Sequence, residues 1–231
     1  MAHKYLLKRT DLSARSPSGI DYRKELNEAQ YQAATAIEGP LLVIAGAGTG
    51  KTRTLVYRVA RLVETGVDPR SILLLTFTRR AAEEMLRRAS LLIDNRCAKV
   101  AGGTFHSFAN GILRQYGRKI DLSPAFTIMD RSDSEDVIQL IRTEMGLNTK
   151  ERRFPRKQTV AEIYSMALNK QWTIPDLIEK DYPHLYDSLE DLLRLFERYV
   201  EYKKGKALLD YDDLLVSLKE LLAGHEEARR R

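Results

Sequence analysis

Residues Leu41 to Thr54 read LLVIAGAGTGKTRT, and this stretch constrains the chain more than any other. Five apolar residues run into a glycine-rich turn, and Gly50-Lys51-Thr52 opens a helix-like pattern. The order is strand, phosphate-binding loop, helix. Phosphates carry several negative charges, and a loop whose backbone N–H groups point inward can cradle them, with the helix dipole adding to the attraction. Gly46, Gly48 and Gly50 permit positive φ and close backbone approach. Lys51 reaches the β- and γ-phosphates, and the Thr52 hydroxyl is the expected Mg²⁺ ligand and metal site. Ala45 stands where the strict pattern has glycine, a mild departure because that position mainly opens the turn. Ala45, Gly46, Ala47, Gly48, Thr49, Gly50, Lys51, Thr52 and Arg53 form the expected nucleotide site, with Lys51 and Thr52 closest to the chemistry.

The remaining composition narrows the class. The 231 residues suit one large or two small domains, and 43% apolar content supports a packed core. A net charge of +6 is compatible with a nucleic-acid partner. A single cysteine, Cys97, excludes a disulfide framework and a thiolate zinc site. His3, His106, His184 and His225 lack metal-ligand spacing. No apolar run approaches the ~20 residues needed to span a membrane, and the N-terminus has no apolar signal region. The expectation is a cytoplasmic protein.

Along the chain, residues 1–21 read as a basic, polar extension. Asn27 caps a helix with Gln30 at its third position, and Leu26 and Tyr31 can close a hydrophobic staple. Gln30 has two readings here: a capping residue, or an amide that reads an adenine edge by donating and accepting at once. The loop helix spans about Lys51 to Thr65, stopped by Gly66. Ser71 to Thr76 is a short apolar strand, followed by Phe77-Thr78 and a helix over about Arg79 to Ile93 that carries Arg79, Arg80, Arg87 and Arg88. Ala98 to Gly103 is a third strand, and Thr104-Phe105-His106-Ser107 opens the next helix. Strands and helices alternate at short spacing, which predicts an α/β fold with a parallel sheet. Gly46–Thr52, Thr76–Thr78 and Gly103–Ser107 then fall at strand C-termini along one sheet edge, where ligands bind.

After about residue 117 the pattern becomes helical: Ser132–Met145, Thr159–Asn169, Pro175–Glu179, Ser188–Lys203 and Tyr211–Leu222, with Pro155, Pro175 and Pro183 as breaks. Phe126 to Asp130 is one short apolar run, and Lys150 to Lys157 is rich in basic residues. A phosphate loop also needs an acid to hold Mg²⁺ and another to activate water. Asp130, Asp94, Asp210, Asp212 and Asp213 are the candidates, but Asp210 opens a helix, where Asp is favoured as a cap. The chain carries half of a nucleotide site.

Five motifs, LNEAQ at 26–30, AGAGTGKT at 45–52, LTFTRRAAEEM at 75–85, GGTFHSF at 102–108 and LDYDDLL at 209–215, together resemble the UvrD/Rep/PcrA group of superfamily 1 DNA helicases over about residues 22–222. The resemblance implies a RecA-like P-loop NTPase domain, 1A, over residues 22–116 and 207–231, with a helical subdomain, 1B, inserted at 117–206. It implies that Gln30 recognises adenine, and that Gly48, Gly50, Lys51 and Thr52 serve ATP and Mg²⁺. Thr76, Phe77, Thr78 and Arg79, with Thr104, Phe105 and His106, would contact single-stranded DNA. Arg79-Arg80 stand where family members often carry Asn-Lys, which keeps the charge but alters the contact.

The implied activity of the parent protein is ATP-driven 3′→5′ translocation and duplex DNA unwinding. The acid pair of the family follows the LDYDDLL helix, so these residues read as an N-terminal piece ending before it. Two other readings stay open: a P-loop kinase or switch ATPase without a DNA role, and a non-catalytic nucleotide- or single-strand-binding module.

Overall fold

The computed structural model describes residues 19–93, 95–148 and 154–229. Most of the expected N-terminal extension, the candidate acid Asp94 and the first part of the basic run at 150–157 lie outside them. The chain divides into two compact units between Phe105 and His106, where the sequence placed a boundary after Tyr116.

The first unit contains α1 (Tyr22–Glu25), α2 (Glu28–Thr35), α3 (Lys51–Glu64), β1 (Leu73–Thr76), α4 (Arg79–Leu92) and β2 (Ala101–Thr104). Asn27 caps α2 by accepting from the Gln30 N–H, while the Gln30 side chain accepts from the Asn27 N–H. Leu26 and Tyr31 share a small cluster with Tyr22, Ala34 and Tyr57, which is the anticipated staple. Helix α3 turns Val56, Val59 and Val63 inward, the i, i+3, i+7 spacing of an amphipathic helix. These valines pack with Ile72, Leu74, Met85, Ala89, Cys97 and Val100, each large side chain contributing roughly 1.5–3 kcal/mol by burial.

Strands β1 and β2 pair in parallel, with Leu73 opposite Ala101 and Thr76 opposite Thr104. Residues Asn95–Lys99 form a 3-10 turn, so β2 starts later than the sequence suggested. A larger departure concerns Leu41–Ile44. This expected strand pairs with no strand among the described residues, and Leu42 and Ile44 are 84% and 90% exposed. Apolar content favours a pleated, buried segment, but a strand forms only where a neighbour supplies its ladder hydrogen bonds. The expected alignment of three loops on one sheet edge is therefore corrected to two, those after β1 and β2.

The second unit takes up α5 (Phe105–Tyr116) from His106 onward, then β3 (Thr127–Ile128), α6 (Arg131–Glu144), α7 (Lys157–Lys170), α8 (Ile174–Asp181), α9 (Leu189–Gly205), β4 (Leu208–Leu209), α10 (Tyr211–Gly224) and α11 (Glu226–Arg229). It holds two cores. One joins α6–α9 through residues such as Ile138, Ile141, Ile163, Leu177, Leu192 and Leu195. The other joins Ala109, Leu113 and Phe126 to Leu214, Leu221 and Ala228. Segments that flank the helical stretch in sequence thus meet in space. β3 and β4 close its neck in parallel, Thr127 opposite Leu208 and Ile128 opposite Leu209. The two pairs β1–β2 and β3–β4 are separate sheets, so the fold is mixed α/β with parallel pairing but, among the described residues, without one continuous sheet.

Candidate nucleotide and nucleic-acid site

The loop before α3 adopts the backbone its glycines allow. Gly48 and Gly50 lie at φ 75° and 85°, and Gly50 caps the helix without a side chain. The Thr49 hydroxyl donates to the Gly46 carbonyl at 2.8 Å. The Lys51 ammonium donates to the carbonyls of Ala45 at 3.0 Å and Gly46 at 2.7 Å. Lysine thus folds back over the loop it is expected to serve, satisfying two carbonyls that have no helical partner. Thr52 is exposed in the first turn of α3, so its hydroxyl stands with the loop's backbone N–H groups at the positive end of the helix dipole. That donor set fits an oxyanion with its Mg²⁺.

Gln30 ties this loop to α2. Its Oε1 is occupied by the cap, and its Nε2 donates to the Thr49 carbonyl at 3.0 Å. A Cβ built on Gly50 would lie 2.7 Å from that nitrogen, so glycine permits the approach. Arg53, expected at the nucleotide, donates instead to the Glu25 carboxylate at 2.7 Å and to the Glu25 carbonyl at 2.9 Å. Arg58 donates to the carbonyls of Ala33 at 2.8 Å and of Ala36. Neither link was legible in the sequence, because each joins segments more than twenty residues apart.

The ends of β1 and β2 gather a second set of side chains. The parallel register puts Thr76 beside Thr104. Phe77 and Phe105 follow them, with ring centroids 6.1 Å apart, and are 90% and 44% exposed. The Thr78 hydroxyl accepts from the Ala81 N–H at 3.2 Å and caps α4. Two cations of that helix are engaged: Arg87 and Arg88 both donate to Glu84. Those hydrogen bonds, Arg87 first, hold the Glu84 carboxyl at about 2. Arg79 and Arg80 are exposed and have no such partner among the described residues. An exposed aromatic pair beside exposed guanidinium groups has the chemistry by which single-strand binders stack bases and attract phosphates.

In the second unit His106 packs edge-to-face on Tyr211, with centroids 5.4 Å apart. The acids considered as metal ligands hold structure here. Asp130 and Asp210 cap α6 and α10 in capping boxes with Asp133 and Asp213. Lys203, only 4% exposed, donates to Asp210 at 2.7 Å and Asp213 at 2.6 Å, and the Tyr199 hydroxyl donates to Asp210 at 3.0 Å. Asp212 accepts from Asn169 at 2.9 Å. Burial opposes the charged form of Asp210, but Lys203, the Asp213 N–H and Tyr199 outweigh it and lower its pKa. Burial and the like charge of Asp210 raise that of Asp213 despite Lys203.

No helix among the described residues is long and apolar enough to cross a membrane. Residues 26–231 match the family model for the UvrD/REP helicase N-terminal domain. The chain is 33% identical over 195 residues to the ATP-dependent DNA helicase PcrA of Staphylococcus epidermidis, covering 84% of this chain and 26% of that protein. It is 36% identical over 196 residues to PcrA of Leuconostoc citreum, covering 83% and 25%, and 31% identical over 193 residues to PcrA of Staphylococcus aureus, covering 83% and 26%. The chain thus spans about a quarter of the length of these curated relatives. By the extent of the family match, this chain belongs to the UvrD/REP helicase N-terminal domain family.

Proposed function

We propose that these residues form the ATP-binding and single-strand-gripping part of a DNA helicase that translocates 3′→5′ and unwinds duplex DNA. The observation that carries the reading is the pairing of β1 with β2. It sets Thr76-Phe77-Thr78 beside Thr104-Phe105 and exposes two aromatic rings next to Arg79 and Arg80. Sequence-tolerant grip on a single strand needs this combination, each stacked base contributing ~1–3 kcal/mol. The PcrA relatives are described as ATP-dependent DNA helicases, which supports the same reading.

In this proposal the backbone of Gly46–Gly50 and the Lys51 ammonium bind phosphate oxygens, the Thr52 hydroxyl holds Mg²⁺, and Gln30 recognises adenine. ATP, when bound, supplies the free energy of phosphoanhydride cleavage. Lys51 would exchange the carbonyls of Ala45 and Gly46 for phosphate, which makes binding sensitive to loop geometry. Asp130, Asp210 and Asp213 are committed to caps and, for the latter two, to Lys203. The carboxylates that activate water are therefore assigned to residues other than these. The RecA-like domain is residues 22–116 with 207–231, and the inserted helical subdomain is 117–206. The core shared by Leu113 with Leu214 and Leu221 supports that return.

The test is ATP turnover by the full-length parent with and without single-stranded DNA, with strand displacement on substrates bearing a 3′ or a 5′ tail. Stimulation by DNA and unwinding from the 3′ tail are expected. Turnover indifferent to DNA would favour a P-loop enzyme without a DNA role.

A further inference from the structure

Arg53 stands on the phosphate-loop helix but is held by a residue outside it. One guanidinium nitrogen, Nη2, donates to two oxygens of Glu25, the carboxylate Oε2 at 2.7 Å and the backbone carbonyl at 2.9 Å. The Tyr57 hydroxyl donates to the same Oε2 at 3.1 Å, and the centre of the Tyr57 ring lies 5.1 Å from the guanidinium carbon. Tyr57 is buried with Tyr22, Leu26 and Ala34, and Glu25 is the last residue of α1, directly before Leu26. The support for Arg53 is therefore continuous with a core.

Both members of the Arg53–Glu25 pair are about half exposed, and an ion pair so placed adds little to stability. Its effect is on where the charge points. Arg53 lies in the first turn of α3, whose N-cap is Gly50. A Cβ on Gly50 would lie 2.7 Å from Gln30 Nε2 and 3.9 Å from the Arg53 Cβ, so Gln30 and Arg53 flank the same glycine. An unpaired guanidinium beside this loop would be drawn to phosphate oxygens, which match its fork of donors. Glu25 neutralises it and occupies Nη2.

We infer that Glu25 is a positioning residue for nucleotide binding: it holds the Arg53 guanidinium on the Gln30 side of the loop, where it serves the nucleoside, and keeps it off the triphosphate. The inference rests on the reading of Gly46–Thr52 as a nucleotide site with Gln30 at its adenine end. Two physical points support it. A long side chain already restrained in the free protein loses less freedom when a ligand arrives. The phosphates, in turn, are left to the loop's own N–H groups and to Lys51, whose ammonium already lies over the carbonyls of Ala45 and Gly46.

The experiment is isothermal titration of the 231-residue chain, in the presence of Mg²⁺, with ATP and with inorganic tripolyphosphate, which has the phosphate chain and lacks the nucleoside. Glu25→Ala is expected to weaken ATP binding about 2- to 12-fold, the scale of ordering one long side chain. The same change should leave tripolyphosphate binding unchanged or up to about fivefold tighter, since a carboxylate has been removed from the neighbourhood of an anion. A merely structural role would weaken both ligands together. In an Arg53→Ala background, Glu25→Ala should alter ATP affinity by no more than about twofold, because Glu25 acts through Arg53. Equal weakening of both ligands, an unchanged ATP affinity, or the same loss with Arg53→Ala as without it overturns the inference. In each of those cases loss of both ligands in Lys51→Ala would show that the nucleotide reading itself stands. If the wild-type chain binds neither ligand, the nucleotide reading falls and takes this inference with it.

Discussion

The amide nitrogen of Gln30 donates to the carbonyl of Thr49 at 3.0 Å, and so fastens the start of α2 to the loop that precedes α3. One side chain therefore closes a helix cap and holds the phosphate loop. Gln30→Ala removes both, and is expected to cost about 1 kcal/mol of stability, the usual scale for a cap or a hydrogen bond. Urea unfolding of the chain should show a lower midpoint with an unchanged slope. An unchanged midpoint would mean that solvent replaces both bonds.

Gly50→Ala tests the same junction from the other side. The residue sits at φ 85°, and its new Cβ would fall 2.7 Å from Gln30 Nε2. The left-handed backbone alone costs roughly 1–2 kcal/mol for a residue with a Cβ. The double variant Gly50→Ala with Gln30→Ala should be more stable than the sum of the single changes predicts, because the collision is gone while the backbone cost remains. Strict additivity would contradict the proximity.

Lys51→Ala should separate folding from chemistry. Lys51 is exposed and, among the described residues, bonds only to two loop carbonyls, so the chain should lose no more than about 0.5 kcal/mol of stability. Binding of a fluorescent ATP analogue should fall steeply, and turnover by the full-length parent should vanish. The unsubstituted 231-residue chain is itself expected to show no appreciable ATP hydrolysis. A normal rate in the Lys51→Ala parent, or steady turnover by the chain alone, would each remove a part of the proposal.

Lys203→Met leaves Asp210 and Asp213 partly buried without their cation, a change expected to cost about 3–5 kcal/mol at neutral pH. The sign of the pH dependence follows from the two carboxyls. Asp210, whose pKa is lowered in the folded chain, contributes stability present above the ordinary aspartate pKa and lost as pH falls through its own lowered value. Asp213, whose pKa is raised, contributes in the opposite sense, most below the ordinary pKa and less as pH rises through its folded value. Without Lys203 both become of the second kind, so acidification from pH 7 toward pH 5 should raise the urea midpoint of Lys203→Met. A midpoint that falls over that interval would show that the ammonium is not what holds the pair.

Single-strand binding should weaken linearly in log–log plots as salt rises, because arginine and lysine release condensed counterions at about 0.7 per phosphate contact on a single strand. Replacing Arg79 and Arg80 with alanine should flatten that slope. Phe77→Ala should lower affinity at every salt concentration and leave the slope intact, since a stacked ring releases no ions. A common effect of both changes on the slope would merge two contributions that the geometry keeps apart.

Local chemistry was legible in the residues alone. Asn27 with Gln30, and Asp210 at the start of α10, cap helices because their side chains reach backbone N–H groups three residues away. The glycines of the phosphate loop and the valine stripe of α3 follow from steric allowance and helical period. Tertiary structure decided what depends on distant partners. Leu41–Ile44 has strand composition but pairs with no strand among the described residues, since a ladder needs a neighbour that composition does not supply. Gln30 reaches Thr49, Arg53 turns to Glu25, and Lys203 clasps two aspartates, because packing brings these groups within hydrogen-bond reach. The place of Tyr211 against His106 is of the same kind: the sequence names both residues, and only the fold makes them neighbours.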